Sequence, residues 1–146
     1  MDDVTCREYE PGDWPRVRAM LEANDEDAGD AGRVLQHDGS RAWVAEAGDE
    51  LVGWVLTRPV VTDEGYHLGG IEDLVVDEPW RGQGIGRRLM EMAEDHFRAE
   101  GLAALQLTVR ADNQVALNLY RSLGFSIKDA RLRMRKSLGP DPRTMQ

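Results

Sequence analysis

Residues 71–89 read Ile-Glu-Asp-Leu-Val-Val-Asp-Glu-Pro-Trp-Arg-Gly-Gln-Gly-Ile-Gly-Arg-Arg-Leu, which is an apolar strand, a glycine-rich turn and the start of an amphipathic helix. A helix N-terminus leaves backbone N–H groups unpaired and carries the positive end of the helix dipole, so it attracts anions. Glycines have no Cβ and let a ligand approach the backbone; they stand here at Gly82, Gly84 and Gly86. Arginines supply guanidinium groups that fit phosphate oxygens; they stand at Arg81, Arg87 and Arg88. The stretch predicts a turn that binds a pyrophosphate.

The spacing of the glycines separates this turn from two other phosphate-binding motifs. A P-loop requires a Lys followed by Ser or Thr after its second glycine, and neither is present here. A dinucleotide fingerprint requires Gly-x-Gly-x-x-Gly in the first strand-turn-helix unit, whereas these glycines run Gly-x-Gly-x-Gly in the middle of the chain. The form Arg81-x-x-Gly84-x-Gly86 instead resembles the acyl-CoA signature of the GNAT superfamily of N-acyltransferases.

A second segment, residues 105–125, resembles the other half of the same superfamily's core. Its first residues alternate between apolar and polar side chains up to Val109, as in a strand with one buried face. Asp112 or Asn113 is a suitable N-cap for the helix that follows, and Gly124 a suitable C′ residue. The residues that carry the resemblance are Asn113, Ala116, Tyr120, Gly124 and Phe125. Two motifs in the family's order make a chance match improbable.

Composition and charge limit the classes of function. A chain of 146 residues with 41% hydrophobic and 31% charged residues is expected to form one soluble domain. The net charge of −9 argues against nucleic acid as a partner. Cys6 is the only cysteine, which excludes an intrachain disulfide and a cysteine-based metal site, and no metal is expected. Neither a signal peptide nor an apolar run long enough for a membrane is recognised, so a cytoplasmic protein without membrane contact is predicted.

The pattern along the chain predicts a single domain over residues 1–138 and a flexible tail over residues 139–146. Strands are expected at residues 4–9, 41–46, 51–61, 67–76 (interrupted by Gly69-Gly70), 105–109, 126–128 and 132–136. A helix is expected with Asp13 as its N-cap and with Trp14 and Leu21 on its apolar stripe, a longer one over residues 84–100, and a short one before Gly124. Residues 22–32 are predicted to be an acidic, flexible loop.

The resemblance to the GNAT superfamily implies a more specific fold of the α/β class, α+β by some schemes. It is a mixed, mostly antiparallel sheet of about six to seven strands flanked by about four helices, with splayed central strands. The acyl-CoA pantetheine arm is expected in the gap between those strands, and acetyl-CoA is the implied co-substrate. The implied cofactor-binding residues are Leu74, Val75, Val76, Arg81, Gly82, Gln83, Gly84, Ile85, Gly86, Arg87 and Asn113.

Two side chains are candidates for proton transfer. An alkylammonium has a pKa of about 10 and must lose a proton before it attacks a thioester. Glu72 is the candidate base, acting directly or through water, with a surface or ion-pair role as the alternative. Asp73 is expected on the opposite face of the strand unless a β-bulge redirects it. Tyr120 is the candidate acid for the departing thiolate, with a place in the core as the alternative.

The acceptor is predicted to be a small cationic amine, and peptide or protein amines come second. Asp25, Glu26, Asp27 and Asp30 are candidates for binding it, although a solvated loop is the simpler interpretation. The prediction is therefore an acetyl-CoA-dependent N-acetyltransferase that works by direct attack in a ternary complex. A non-catalytic acyl-CoA sensor and a dinucleotide-binding domain are the rivals. A homodimer is allowed for; the acceptor, the acyl-chain preference and the oligomeric state stay open.

Overall fold

A computed structural model describes residues 3–140 of the chain. The chain divides after Thr108 into two compact units. Within residues 3–140, the first unit contains five strands and three α-helices, and the second unit contains one α-helix. The two units are described separately below.

The first unit is built on one sheet. Its strands are β1 (Val4–Glu8), β2 (Arg41–Ala47), β3 (Glu50–Val61), β4 (His67–Val76) and β5 (Leu105–Leu107). They lie side by side in chain order, antiparallel except for the parallel pair of β4 and β5. The mixed, mostly antiparallel α/β fold is thereby confirmed, with five strands instead of the expected six to seven. Gly48 closes the β2–β3 hairpin with a φ of 61°, a conformation that favours glycine.

Helices cover both faces of this sheet. On one face lie α1 (Trp14–Ala23) and α2 (Ala28–Leu35). Helix α1 buries Val17 and Leu21 in a core that includes Trp54 and Leu56. Trp54 is fully buried and forms ring contacts with Tyr9 and Trp14. On the other face lies α3 (Ile85–Ala99), whose His96 ring contacts Trp43. Alternation along the strands separates these two sets of side chains, because neighbouring residues point to opposite faces.

Strand β4 is continuous through Gly69 and Gly70, so the expected interruption is wrong. A Cβ at Gly69 would lie 2.7 Å from the ring of Phe97 in α3, and one at Gly70 would lie 2.6 Å from a methyl group of Val60. The two glycines therefore allow close packing on both sides of the strand, since a larger residue would collide there.

The expected acidic loop at residues 22–32 is partly helical. Helix α2 begins at Ala28, and the carboxylate of Asp27 caps it by accepting a hydrogen bond from the N–H of Asp30 (2.9 Å). The buried face of α2 begins with the small residues Ala28 and Ala31. The large apolar residues of α2 that pack against the core, Val34 and Leu35, come only at its C-terminal end, so the segment has no apolar stripe of helical spacing, which is why the prediction missed it.

The second unit contains α4 (Gln114–Ser122). Asn113 caps it, with its side-chain oxygen accepting from the N–H of Ala116 (3.1 Å), and Gly124 follows its end with a φ of 96°. Residues 126–128 and 132–136 form no strand, so these two predictions are wrong. Their apolar side chains, among them Leu132 and Met134, are exposed. Alternation alone does not make a strand, because the backbone also needs a partner for its hydrogen bonds. Residues 141–146 of the predicted tail lie outside the described part.

Candidate functional site

The glycine-rich turn has the geometry of an anion-binding helix start. Gly82 and Gly84 have φ angles of 79° and 82°, and no atom lies within 4 Å of where a Cβ on either residue would be. In α3 the N–H of Arg88 donates to the carbonyl of Gly84 (3.1 Å). The N–H groups of residues 85–87 precede this bond and are those that a helix leaves without an intrahelical acceptor. The turn thus offers accessible backbone and the positive end of a 15-residue helix.

The predicted cofactor-binding residues divide into backbone and side-chain contributors. The Ile85 and Val75 side chains are buried in the core, so each residue can reach a ligand only through its main chain. Leu74 and Val76 are half-buried and lie 3.8 and 3.7 Å from the position that a Cβ on Gly86 would take. Three more of these residues are exposed at the turn: Arg81, Gln83 and Arg87.

Arg88 and Arg81 have hydrogen-bond partners elsewhere in the first unit. Arg88 donates to the carbonyl of Val4 in β1 (2.9 Å), so its guanidinium lies toward the edge strand of the sheet. Arg81 donates through Nε to the carbonyl of Val76 (2.9 Å) and through Nη2 to Oδ1 of Asn24 (2.9 Å). Arg81 therefore stays beside the turn in a fixed orientation.

The edge of β4 that faces β5 is paired only up to Ile71. The ladder between β4 and β5 pairs Gly69 with Leu105, Gly70 with Gln106 and Ile71 with Leu107. Residues 72–76 of β4 lie beyond these pairs. This is the edge at which the predicted gap between the central strands begins.

A β-bulge in β4 directs two neighbouring carboxylates to one cavity. Leu56 of β3 pairs with Asp73, but the next residue, Thr57, pairs with Ile71, so Glu72 is an extra residue in the ladder. A bulge of this kind breaks the alternation of side chains. Glu72 and Asp73 consequently both line the same cavity, and the expectation that Asp73 would face the other way is wrong.

That cavity, which we call the acidic cavity, has a volume of about 90 Å³. It lies between β4 and the start of α2. Its lining residues are Glu26, Asp27, Asp30, Ala31, Val34, Leu56, Glu72 and Asp73. Five of these eight side chains are carboxylic acids. Within residues 3–140, no His, Cys, Asp and Glu side chains are grouped so that three of them could hold a metal ion.

Asp73 is held in an environment that disfavours its charge. Burial raises the pKa of its carboxyl group to about 6, and the negative charges of Glu26, Asp30 and Glu72 act in the same direction. The indole N–H of Trp54 donates to Oδ2 of Asp73 (3.3 Å) and opposes this shift. Asp73 therefore changes its charge close to neutral pH.

Glu72 forms an ion pair with Arg58 of β3. About a quarter of the Glu72 side chain (27%) is exposed, compared with half of the Arg58 side chain. The candidate base is thus reachable from solvent and already has a cationic partner. No sequence pattern indicates Arg58 as a partner of Glu72, because the pair depends on the register between β3 and β4.

The two remaining predicted residues belong to the second unit. Asn113 is exposed and caps α4, as described above. Tyr120 is half-buried on α4, and its ring packs edge-to-face against Phe125 with centroids 5.8 Å apart.

No helix within residues 3–140 has both the length and the apolar character required to cross a membrane.

Comparison with known proteins identifies relatives across most of the chain. Residues 4–125 match the sequence model of the acetyltransferase (GNAT) family. A curated relative, Acetyltransferase SG1711 of Sodalis glossinidius (strain morsitans), is 32% identical over 130 residues, which are 88% of this chain and 86% of the relative.

Solved structures share the fold. A transcriptional regulator from Bacillus halodurans C-125 superimposes with a TM-score of 0.75 at 27% identity, covering 92% of this chain and all of that one (100%). An aminoglycoside acetyltransferase from an uncultured soil metagenomic sample, in complex with sisomicin, gives a TM-score of 0.74 at 18% identity, covering 93% and 97%.

Proposed function

The chain belongs to the acetyltransferase (GNAT) family and is therefore an N-acetyltransferase that uses acetyl-CoA, and we propose that its acceptor is the primary amine of a small cationic molecule. One observation carries the proposal: the acidic cavity is lined by five carboxylic acids and opens beside the strand that leads into the glycine-rich turn. A group of carboxylates attracts an ammonium ion. At about 90 Å³ the cavity suits one aminoalkyl end of an acceptor rather than a whole large molecule.

The turn supports the binding of acetyl-CoA in this proposal. The N–H groups of residues 85–87, together with Arg81 and Arg87, hold the diphosphate, because oriented backbone donors and guanidinium groups both favour phosphate. The free edge of residues 74–76 pairs with the pantetheine arm, and Asn113 contributes a further contact. Acetyl-CoA supplies the acetyl group, and CoA leaves as the free thiol.

Glu72 accepts the proton that the amine must lose. The substrate ammonium replaces the guanidinium of Arg58 beside the Glu72 carboxylate, and the proton passes to that carboxylate directly or through water. As the amine nitrogen bonds to the acetyl carbon, the carbon–sulfur bond breaks and the thiolate takes a proton from the Tyr120 hydroxyl. The nitrogen then loses its second proton, which returns through water to Tyr120 and leaves a neutral amide, while the proton on Glu72 passes to solvent. Asp73 keeps a second negative charge in the cavity and orients the cation.

An amine screen tests this function. Purified protein is mixed with acetyl-CoA and, separately, with spermidine, kanamycin, glucosamine, lysine or a peptide with a free N-terminus, and thiol release is measured. We expect the multiply charged amines to give the highest kcat/KM. Release with the peptide alone would replace the proposed acceptor with a protein or peptide. Binding of acetyl-CoA without release on any amine would favour the non-catalytic sensor.

Substitution of the proposed acid gives an independent test. Tyr120→Phe removes the hydroxyl and keeps the ring that packs against Phe125. We expect turnover to fall by about 10²-fold, a typical contribution of general acid catalysis, while the acetyl-CoA affinity measured by calorimetry stays within about twofold of the wild type. Wild-type turnover in this variant would remove Tyr120 from the mechanism.

A further inference from the structure

The carboxamide of Asn24 joins two parts of the first unit that the proposed function assigns to different substrates. Asn24 is half-buried at the C-terminal end of α1. Its side chain makes four hydrogen bonds. Oδ1 accepts from Nη2 of Arg81 (2.9 Å) and from the N–H of Glu78 (3.2 Å), and Nδ2 donates to Oδ1 of Asp77 (2.9 Å) and to the carbonyl of Met20 (2.8 Å).

Three of these bonds hold the segment that leads into the glycine-rich turn. Asp77 and Glu78 begin the short 3₁₀ turn after β4, and Arg81 follows it. Arg81 is also the arginine that donates to the carbonyl of Val76. Asn24 therefore fixes both the backbone before the turn and the direction of the guanidinium beside it.

Asn24 also lies two residues before Glu26, the first residue of the chain that lines the acidic cavity. Asp25 has a φ of 59°, which reverses the chain after α1, and the N–H of Glu26 donates back to the carbonyl of Leu21 (2.9 Å). Glu26 and Asp27 then line the cavity. One short hydrogen-bonded turn thus joins Asn24 to the two residues that carry these carboxylates.

We propose that Asn24 is a positioning residue that couples the acyl-CoA turn to the acidic cavity, so that acetyl-CoA bound at Arg81 tightens the binding of the amine. This inference rests on the proposed function. Asn24 touches neither reacting atom. Its amide supplies a donor and an acceptor at once, a combination that Asp, Leu and Ala lack. By linkage the amine tightens acetyl-CoA binding by the same factor.

Two-substrate kinetics measure this coupling. For the wild type and Asn24→Ala, the amine of the screen with the lowest KM and acetyl-CoA are varied together, and the amine KM is compared at low and at saturating acetyl-CoA. We expect the wild-type KM to fall by about fivefold as acetyl-CoA saturates, and the KM of Asn24→Ala to stay constant. In this variant the acetyl-CoA Kd should rise by about tenfold, with kcat at saturation of both substrates within about threefold of the wild type.

A merely structural role would give a different result, because it would lower the melting temperature and the active fraction without changing the ratio of the two KM values. The control is Asn118→Ala, since Asn118 is an exposed asparagine on α4 that accepts from Gln114 (3.0 Å). It should retain the wild-type ratio. A wild-type KM independent of acetyl-CoA, or an unchanged ratio in Asn24→Ala, would overturn the proposal.

A pair of reciprocal substitutions keeps the test decisive if Asn24→Ala folds poorly. Asn24→Asp preserves the shape and the acceptors but sets a second carboxylate against Asp77, so the coupling should be lost. Adding Asp77→Asn restores a donor–acceptor pair in the reverse direction and should recover most of the coupling. The double variant also has the wild-type net charge, so the absence of recovery would contradict the bridge.

The outcomes separate this inference from the proposed function. If the wild type fails to bind acetyl-CoA in a calorimetric titration, or releases no thiol with any amine, the proposed function fails. If the wild type binds acetyl-CoA and acetylates the amine, and the Asn24 variants behave like it, only the coupling through Asn24 fails.

Discussion

Asp13 shows how a single buried charge supports the first unit. Its side chain is 4% exposed and accepts from both Nη atoms of Arg7 (2.8 Å each), from Arg16 (2.9 Å) and from the N–H of Glu10 (2.8 Å). Asp13 occupies the position before α1, where it was expected to cap that helix, but no side-chain cap is formed there. Its oxygens serve the arginines and the preceding turn instead. The residue fastens β1 to the start of α1.

The stability that Asp13 contributes depends on pH. Hydrogen bonds from Arg7 lower the pKa of its carboxyl group to about 2 from an ordinary value of 3.8. The ionised form is thus the one that the fold favours, and its contribution of about 2 kcal/mol is present above pH 4 and lost as the pH falls toward 2. We expect Asp13→Asn to lower the free energy of unfolding by about that amount at pH 7 and by about half as much at pH 3, measured by urea denaturation.

The control for this prediction is Asp112→Asn. Asp112 also pairs with an arginine, Arg110, at 3.1 Å, but both side chains are more than two-thirds exposed. Exposed pairs contribute little because water screens them, so the denaturation midpoint should hardly move. A similar loss in both variants would show that burial is not what makes the Asp13 pair matter.

Asp73 gives the corresponding prediction for activity. Because its pKa is raised to about 6, it gains negative charge as the pH rises from 5 to 7, and a cationic amine should then bind more tightly. We expect kcat/KM for the amine to rise over this interval with an inflection near pH 6, and Asp73→Asn to lose the inflection while retaining lower activity. The measurement is initial thiol release across the pH series.

Asp38→Asn is the matched control, since Asp38 is an exposed aspartate outside the cavity. It should keep the wild-type pH profile. If Asp73→Asn also keeps the inflection, that ionisation does not belong to Asp73.

At the scale of elements, the sequence predicted the helices, turns and caps that are marked by residues close together in the chain. The hairpin around Gly48, helix α3 and the Asn113 cap all follow from turn, cap and periodicity rules, and the structure has them within about one or two residues. Helix α2 was missed because its buried face begins with alanines. The bulge at Glu72 was missed because it depends on pairing with β3. The candidate turn was therefore readable from the sequence, whereas the acidic cavity required the register of the sheet.

The start of α3 supplies a test at this scale. A Cβ at Gly86 would make only ordinary contacts with Val76 (3.7 Å) and Leu74 (3.8 Å), so Gly86→Val should fold. The added methyl groups would occupy the space beside β4 where the pantetheine arm is proposed. We expect acetyl-CoA binding to weaken by at least about tenfold in a calorimetric titration, with a melting temperature close to that of the wild type.

Gly84→Val is less informative, because its φ of 82° strains any side chain whether or not a ligand binds. Gly12→Val is the better control, since a Cβ there meets no atom within 4 Å and Gly12 lies outside the proposed site. Undiminished acetyl-CoA affinity in Gly86→Val would contradict binding along this edge.

For the whole molecule, the net charge of −9 has two separable consequences. A negative surface raises the local concentration of any cation, whereas the acidic cavity is proposed to bind one cationic group at short range. Salt distinguishes them, because the Debye length falls from about 10 Å at 0.1 M to about 3 Å at 1 M and screens exposed charges more than partly buried ones. A substitution that removes one carboxylate changes the net charge by the same amount inside and outside the cavity. Only the substitution inside the cavity also removes a charge from the proposed binding site.

Asp30→Asn and Asp63→Asn make this comparison, since each removes one negative charge and only Asp30 lines the cavity. With spermidine as the acceptor, we expect the wild-type KM to rise by about tenfold between low and about 0.5 M NaCl, with little change in kcat. Asp63→Asn should follow the wild type. Asp30→Asn should start at a higher KM and rise less steeply, because one charge near the bound cation is missing. Equal slopes in the two variants would mean that the overall field, and not the acidic cavity, attracts the amine.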